Sequence, residues 1–155
     1  MSKKYPTARN IKFVLCEEVR EESHQKLSLL GVFPADSITI LGPKPAALGN
    51  GVAVLASLAI VVTFKDVEGE FEARLRIAAP DGKVAFDDAI GKVNLAKRGT
   101  ATLAWKAQGF AVATFGRYLA EVLLDDRSYP FEFEILDGSS KPTEQAPEPS
   151  TRKRA

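Results

Sequence analysis

The chain has 155 residues, of which 45% are hydrophobic and 26% are charged, with 21 lysines and arginines against 20 aspartates and glutamates. This length and composition are those of one globular domain that can fold without disulfides or a structural metal, and the single cysteine excludes an internal disulfide. A formal charge of +1 gives no reason to expect nucleic acid or a membrane surface as the main partner.

The two ends of the chain differ in composition from its body. The first ten residues, MSKKYPTARN, contain no apolar stretch of the kind a secretion signal needs. We expect a flexible N-terminus at residues 1–8, one domain at residues 9–138 and a disordered tail at residues 139–155. The tail has three prolines and no aromatic or large aliphatic residue. A lone cysteine, Cys16, fits a reducing compartment, so we expect a cytoplasmic location.

Strand-like segments follow one another along the body, separated by turn residues. The first three are predicted at residues 11–16, 26–33 and 37–41. A fourth strand, predicted at residues 52–64, is the most apolar segment but is shorter than the roughly 20 apolar residues a membrane-spanning helix needs. It lacks strict alternation, which indicates a strand buried on both faces or two strands joined through a bulge. A short helical turn within it is a further alternative.

Residues 71–77 (FEARLRI) give the clearest strand signal, because apolar and charged residues alternate strictly. The residues PDG at 80–82 predict a turn into a further strand at 83–86, so that the two strands form a hairpin. Another strand is predicted at residues 100–106.

Residues 117–124 (RYLAEVLL) are rich in helix formers. We nevertheless predict a strand, because residues 125–128 (DDRS) resemble a hairpin turn and the following residues, 131–136, alternate. Residues 115–118 (FGRY) resemble a sandwich corner in which a tyrosine hydroxyl bonds back to the main chain, although an ordinary buried tyrosine is the alternative. The pattern as a whole predicts an all-β, antiparallel β-sandwich of about eight strands with a disordered C-terminal tail.

The segment from Phe13 to Phe33 carries a recognisable motif, CEEVREE at 16–22 followed by KLSLLGVF at 26–33. It resembles a family of small, mostly bacterial proteins of unknown function, whose members have Cys-Asp/Glu-x-Val-Arg-x-Glu and then Lys-Leu-Ser-Leu-Ile/Leu-Gly-Val/Ile-Phe. The resemblance implies a β-sandwich and carries no known enzymatic activity. This chain departs from the family pattern at residues 23–25 (SHQ), where glycine or asparagine is more usual.

Arg20 lies among four glutamates of this motif, Glu17, Glu18, Glu21 and Glu22. A planar guanidinium suits two-point pairing with a carboxylate, so our hypothesis is a structural ion pair at the sandwich edge. The functional alternative is a binding site for an anion or a peptide carboxylate, formed by Arg20 with Glu17 and Glu21.

We predict no catalytic residues, no metal site and no cofactor. Cys16 and His24 are the only thiol and imidazole, and we expect a buried cysteine and a solvated histidine rather than a catalytic dyad. The paired aspartates at 87–88 and 125–126 lack the spacing of a calcium loop. One histidine with one cysteine cannot form a typical zinc site.

The leading prediction is therefore a non-enzymatic binding module, which recognises a protein partner through a sheet edge or loop or associates with itself. A second hypothesis is a small-molecule-binding or enzymatic sandwich with its site near the long loop at residues 41–52. A third is a nucleic-acid accessory protein that uses its basic ends, which carry Lys3 and Lys4 at the start and Arg152, Lys153 and Arg154 at the end. Neither a membrane nor nucleic acid is expected as the main partner.

Overall fold

A computed structural model describes residues 2–41 and 53–138 of the chain. The described residues form seven strands and three short 3-10 turns, so the predicted all-β fold is confirmed. The strands are β1 (Ile11–Glu21), β2 (Leu27–Val32), β3 (Ser37–Ile40), β4 (Ala53–Ala78), β5 (Val84–Val112), β6 (Gly116–Leu124) and β7 (Arg127–Asp137). The 3-10 turns are Ala8–Asn10, Ser23–Gln25 and Pro34–Asp36.

The strands β4 and β5 form one long hairpin that runs through both layers of a sandwich. In the first layer, the early part of β4 lies between β1 and the late part of β5. In the second layer, the late part of β4 lies between β6 and the early part of β5, and β7 and β3 continue that layer. The pairing shifts register between Lys65 and Gly69, where Asp66 and Gly69 have positive φ angles of 63° and 113°. These irregularities allow the hairpin to pass from one layer to the other.

The hydrophobic core lies between the two layers. Phe13 of β1 stacks on Phe131 of β7 with ring centroids 4.8 Å apart, and Phe110 of β5 meets Tyr118 of β6 edge-on at 6.2 Å. Such pairs add to the free energy gained by burying the rings. The first layer contributes alternate residues of β4 to this core, and the second layer contributes alternate residues of β4, β6 and β7.

The fourth predicted strand, residues 52–64, lacks strict alternation because both of its faces are covered. Leu58, Ala59, Ile60, Val61 and Val62 are all buried. Leu58, Ile60 and Val62 point into the main core, whereas Ala59 and Val61 belong to a second apolar cluster on the outer face of the first layer. The explanation that both faces are covered is therefore confirmed.

The ambiguous segment at residues 117–124 is the strand β6, paired with β7 through a turn at residues 125 and 126. The tyrosine corner is also confirmed, since the Tyr118 hydroxyl donates to the Thr114 carbonyl oxygen at 2.7 Å. The hairpin predicted at residues 71–77 and 83–86 exists, but its two strands belong to the longer β4 and β5. The segments predicted at 52–64 and 71–77 are both parts of β4, and those predicted at 83–86 and 100–106 are both parts of β5. The structure therefore has seven strands in its described part, where about eight were expected.

The chain before β1 lies beside the start of the second layer's strands. Lys4 pairs with Glu68 through two backbone hydrogen bonds, and the Tyr5 ring meets Phe71 at 4.9 Å. The flexibility expected for residues 1–8 stays a prediction. The expected tail, residues 139–155, and nearly all of the long loop, residues 42–52, lie outside the described residues. No helix in the described part is long and apolar enough to cross a membrane.

Candidate functional site

The recognisable motif builds a hairpin that covers the outer face of the first layer. β1 pairs with β4 only as far as Cys16 and with β2 from there to Glu21. We call residues 17–32 the arm. Val19 of the arm packs with Cys16 over the outer face of β4, and the Lys106 ammonium of β5 donates to the Val19 carbonyl oxygen at 3.5 Å.

The tip of the arm, residues 23–25, has an unusual backbone conformation. His24 and Gln25 have positive φ angles of 62° and 60°. Glycine adopts this left-handed conformation freely and asparagine adopts it more readily than most residues. His24 and Gln25 therefore hold this turn at a cost in backbone strain.

Arg20 pairs with Glu18 on one face of the arm. Its Nε donates to Glu18 Oε1 at 2.9 Å and its Nη2 to Oε2 at 3.3 Å, so the two-point pair hypothesised from the sequence is confirmed. The hydrogen bonds from Arg20 lower the pKa of the Glu18 carboxyl. Because the Arg20 and Glu18 side chains are 59% and 50% exposed, the pair contributes little to folding stability.

Glu21 lies on the face of β1 opposite Arg20, because successive residues of a strand point to opposite sides. The alternation is broken around Glu17, since Cys16 and Val19 both pack in the second cluster. The Glu17 side chain lies against Gly31, whose φ is +63° and where an added Cβ would come within 2.6 Å of Glu17 Oε2. Glu21 lines an open polar cleft between the arm tip and Thr100 of β5. The structure thus separates Arg20 from Glu17 and Glu21, and a binding role for the three stays a prediction.

Cys16 and His24 lie at opposite ends of the arm. Cys16 is fully buried, its Sγ donates to the Glu18 carbonyl oxygen at 3.6 Å, and burial raises the pKa of its thiol. His24 is exposed in the tip. The expected buried cysteine and solvated histidine are confirmed, and the positions do not suit a nucleophile and its base.

One aspartate of each acidic pair noted in the sequence is engaged with a basic neighbour. Asp87 accepts from Arg74 Nε at 2.6 Å, and Asp125 accepts from the Lys3 ammonium at 2.8 Å and from the Tyr5 hydroxyl at 3.2 Å. Over residues 2–41 and 53–138, no three His, Cys, Asp or Glu side chains are grouped as metal ligands.

β2 forms the free edge of the arm. Among the described strands it pairs with β1 alone. Its sequence, LSLLGV, has no charged residue and no proline. Leu27, Leu30 and Val32 are 36%, 38% and 54% exposed. Unpaired strand edges of this apolar kind attract a further strand.

The ladder between β1 and β2 fixes which backbone groups are free. The Glu22 N–H donates to the Lys26 carbonyl oxygen at 2.7 Å, so Glu22 and Lys26 are a hydrogen-bonded pair of the ladder. In an antiparallel ladder, hydrogen-bonded and non-hydrogen-bonded residue pairs alternate along the two strands. Ser28 therefore bonds to β1, while the N–H and C=O groups of Leu27 and Leu29 point to the free side. These two residues offer a short ladder to an incoming strand.

The other free edges of the described sheet are better protected against strand addition. β3 has only four residues. β5 is long, but Gly91 and Gly109 adopt positive φ angles within it. Charged residues also interrupt β5, namely Asp87, Asp88, Lys92, Lys97, Arg98 and Lys106. Charges and irregular backbone are the usual protection of sheet edges.

Sequence reasoning singled out the charged half of the motif and missed its apolar half. The available signal was a six-residue segment without charge, residues 27–32, between two turns. Whether such a strand is central or at an edge depends on pairings with distant strands, which local periodicity does not contain.

The comparisons with known proteins place the chain in a family and give only remote structural likenesses. A sequence model described as a family of unknown function, DUF6941, matches residues 12–131. No curated protein is significantly similar. A β-glucosidase from Listeria innocua in complex with isofagomine is 16% identical over 81% of this chain, with a TM-score of 0.39. The chain spans 16% of the length of that enzyme. An immunoglobulin-like protein from Pseudomonas aeruginosa is 15% identical over 78% of this chain and 90% of its own length, with a TM-score of 0.36.

Proposed function

The chain belongs to the DUF6941 family, whose function is unknown, and from this premise we propose that it is a binding module for a partner protein. The partner adds an extended segment to the free edge of β2. In this mode of recognition, main-chain hydrogen bonds supply affinity and alternate side chains supply specificity.

The observation that carries this proposal is the absence of charge from an exposed edge strand. Soluble sheet proteins commonly place lysine, proline or a bulge at such edges to prevent pairing. β5 has lysines and register shifts, whereas β2 has neither charge nor proline, and its one irregular residue is Gly31 with a φ of 63°. An edge left open beside exposed Leu30 and Val32 suits a partner strand with apolar side chains.

The charges of the arm indicate the chemistry of the partner segment. Its four glutamates, Glu17, Glu18, Glu21 and Glu22, outnumber Arg20 and Lys26. Because Glu18 is paired with Arg20, the carboxylates of the arm without an ion pair among the described residues are Glu17, Glu21 and Glu22. A partner strand flanked by lysine or arginine complements them. A second copy of this chain is less suited, since it would bring the same acidic arm to the interface.

The test uses two changes in β2 and a matched change in β5. Leu27→Pro removes an N–H that points to the free side, and Lys26 before it already has φ −81° and ψ 149°, which a following proline allows. Leu30→Lys places a charge on the exposed edge. Gln108→Lys makes the corresponding change at an exposed position of β5.

Tagged wild-type protein and the three variants are used to capture partners from the source cells, and a recovered partner is then titrated with purified protein. We expect Leu27→Pro and Leu30→Lys to weaken binding at least about tenfold, equivalent to about 1.4 kcal/mol, and Gln108→Lys to leave it unchanged. Thermal melts of each variant establish that it is folded.

Two results would contradict the proposal. One is repeated capture without any partner. The other is a partner that binds to the two β2 variants as tightly as to the wild-type protein. If only Gln108→Lys abolished the binding of that partner, recognition would be assigned to β5. We also propose a cytoplasmic location, which the single, buried Cys16 supports.

A further inference from the structure

A cavity of about 500 Å³ opens between the two layers at the end of the sandwich where β4 turns into β5. It is lined by both ends of β5, near Phe86 and near Trp105, and by the turn at residues 79–83. The two ends meet because β5 leaves the second layer and returns through the first. No residue of β2 lines the cavity, and the cavity does not depend on the function proposed above.

Aromatic rings form the inner wall of this cavity. The Phe86 and Trp105 centroids lie 4.9 Å apart, and Phe110 stands edge-on to Trp105 and to Tyr118, each at 6.2 Å. Much of the remaining lining is small, namely Gly109 and the alanines at positions 79, 85, 107, 111 and 113, and Val84, Asp81, Lys83 and Lys106 complete it. Protein interiors are close-packed, so a space of this size persists where small residues leave it unfilled. Its volume is that of ordinary small-molecule sites.

The buried side chains of the cavity wall offer no free polar partner. The Tyr118 hydroxyl is already engaged with the Thr114 carbonyl oxygen. Throughout the described residues, no buried side-chain nitrogen or oxygen lacks a hydrogen bond. A polar group carried into this space would lose its hydration without compensation. The enclosed part of a ligand must therefore be apolar.

The mouth of the cavity carries one cation that is not paired. The Asp81 carboxylate accepts from the Lys83 backbone N–H at 3.0 Å, and the Lys106 ammonium reaches away to the Val19 carbonyl oxygen. The Lys83 ammonium takes part in no ion pair with the described residues. An anionic group at the mouth would find its complement at Lys83.

We propose that this cavity binds a small carboxylate with a flat, apolar body of one or two rings. The body lies among Phe86, Trp105, Phe110 and Tyr118, and the carboxylate stays at the mouth beside Lys83. Both halves of the proposal follow from the chain's own residues: the unfilled aromatic wall requires an apolar body, and the unpaired ammonium favours an anionic head.

Trp105 is the only tryptophan of the chain, so its fluorescence reports directly on the cavity. The probes are 2-naphthylacetate and the neutral 2-naphthylacetamide, titrated by calorimetry and by Trp105 emission. We expect saturable binding of both probes, with the carboxylate bound more tightly. Ala107→Leu fills the cavity and should raise both dissociation constants at least about tenfold. Ala89→Leu, an exposed change elsewhere on β5, should leave them unchanged.

Lys83→Glu tests the contribution of the carboxylate to binding separately from that of the apolar body. It should weaken the carboxylate about threefold, as expected for an exposed ion pair, and leave the amide unchanged. Equal binding of the two probes, or an equal effect of Lys83→Glu on both, would overturn the assignment of a carboxylate.

Three other results would overturn the site itself. One is the absence of any response to either probe up to about 1 mM. Another is undiminished binding to Ala107→Leu. The third is binding that appears only when residues 43–51 are replaced by a glycine–serine linker, which would mean that the chain itself occupies the cavity. None of these outcomes affects the partner-capture test on β2, so the two proposals fail separately.

Discussion

Tyr118 shows how a single hydroxyl fixes a bend of the chain. Its side chain is 1% exposed, and its hydroxyl donates to the carbonyl oxygen of Thr114 four residues earlier. This bond closes the bend between β5 and β6, and burial raises the pKa of the phenol. The corner could be anticipated from the FGRY segment, because the bond spans only a few residues.

Tyr118→Phe keeps the ring in the core and removes only the hydroxyl. We expect it to lower the free energy of unfolding by about 1 to 2 kcal/mol, because the Thr114 carbonyl oxygen loses its partner in a buried setting. Urea denaturation measures the change, and an unaltered dependence on urea would show that the same surface is exposed on unfolding. Stability equal to wild type would mean that water replaces the bond.

Asp125 links the chain before β1 to the turn between β6 and β7. Its carboxylate accepts from the Lys3 ammonium, from the Tyr5 hydroxyl and from the Glu72 backbone N–H at 3.1 Å. The Lys3 hydrogen bond, the largest cause, lowers the pKa of this carboxyl in the folded protein.

Asp125→Asn should remove a pH-dependent part of stability. A depressed folded-state pKa stabilises the protein fully above the unfolded value of about 3.9 and loses this effect as the pH falls through the folded value. We therefore expect Asp125→Asn to be less stable than wild type at neutral pH, with the difference shrinking as the pH drops below about 4. Asparagine tolerates the positive φ of 50° at this position. Urea melts at a series of pH values check this, and a difference independent of pH would exclude the ionic origin.

The choice of partner for Arg20 shows the limit of residue-scale prediction. The sequence offered four glutamates, and the two-residue period of a strand leaves Glu18 and Glu22 on the same face as Arg20. Glu22 instead accepts from the Ser28 hydroxyl at 2.9 Å, and Glu18 takes the guanidinium. The two-residue period limits the partner of Arg20 to Glu18 or Glu22. The hydrogen bond between Ser28 and Glu22, which lies across the arm, leaves Glu18 as that partner.

Among the elements, the arm depends on fewer contacts than the rest of the molecule. Its second cluster has four buried residues, Cys16, Val19, Ala59 and Val61, with Leu29 packed against them. The strands of the second layer, in contrast, share the main core. Segments with few buried apolar contacts open at lower free energy than the global unfolding transition.

Leu29→Ala should loosen the arm without unfolding the sandwich. We expect faster hydrogen exchange in residues 17–32, because the substitution removes the main contact of β2 with the second cluster. Residues 71–77, in the late part of β4 in the second layer, should keep their protection. Exchange that increases equally in both segments would show that the arm and the core open together.

Among the elements, strands could be predicted from the sequence where apolar and polar residues alternate within one short segment. Residues 71–77 and 131–136 alternate because each strand covers the core with one face, and both were predicted. The departure of β1 from the first layer after Cys16 was not predicted. That bend depends on Ala59 and Val61 offering an apolar outer face, which only the assembled layer presents.

On the scale of the whole molecule, the β4–β5 hairpin makes the two layers one body. Neither layer has a separate set of strands, since the halves of β4 and β5 belong to both. Periodicity predicted the sandwich class, but the strand order β2-β1-β4-β6-β7-β3 depends on pairings between residues far apart in sequence. For the same reason, the open edge of β2 and the cavity beside Trp105 could not be derived from the sequence.

Shared strands predict a single unfolding transition for the two layers. Trp105 emission reports on the space between the layers, and far-ultraviolet circular dichroism reports on all strands. We expect their urea transitions to coincide, as in a two-state domain of this size. Separate midpoints would show that one layer persists when the other is lost.

The parallel pairing of β3 with β7 has a consequence for how the protein folds. Ser37 pairs with Glu134, so this ladder closes a loop of about a hundred residues, whereas the β4–β5 hairpin joins neighbours in sequence. Closing a long loop costs more chain entropy than forming a hairpin, and contacts of large sequence separation slow folding. The order of events should therefore start at the β4–β5 turn and end with β3, so that a nascent or partly refolded chain exposes the edge of β7 longest.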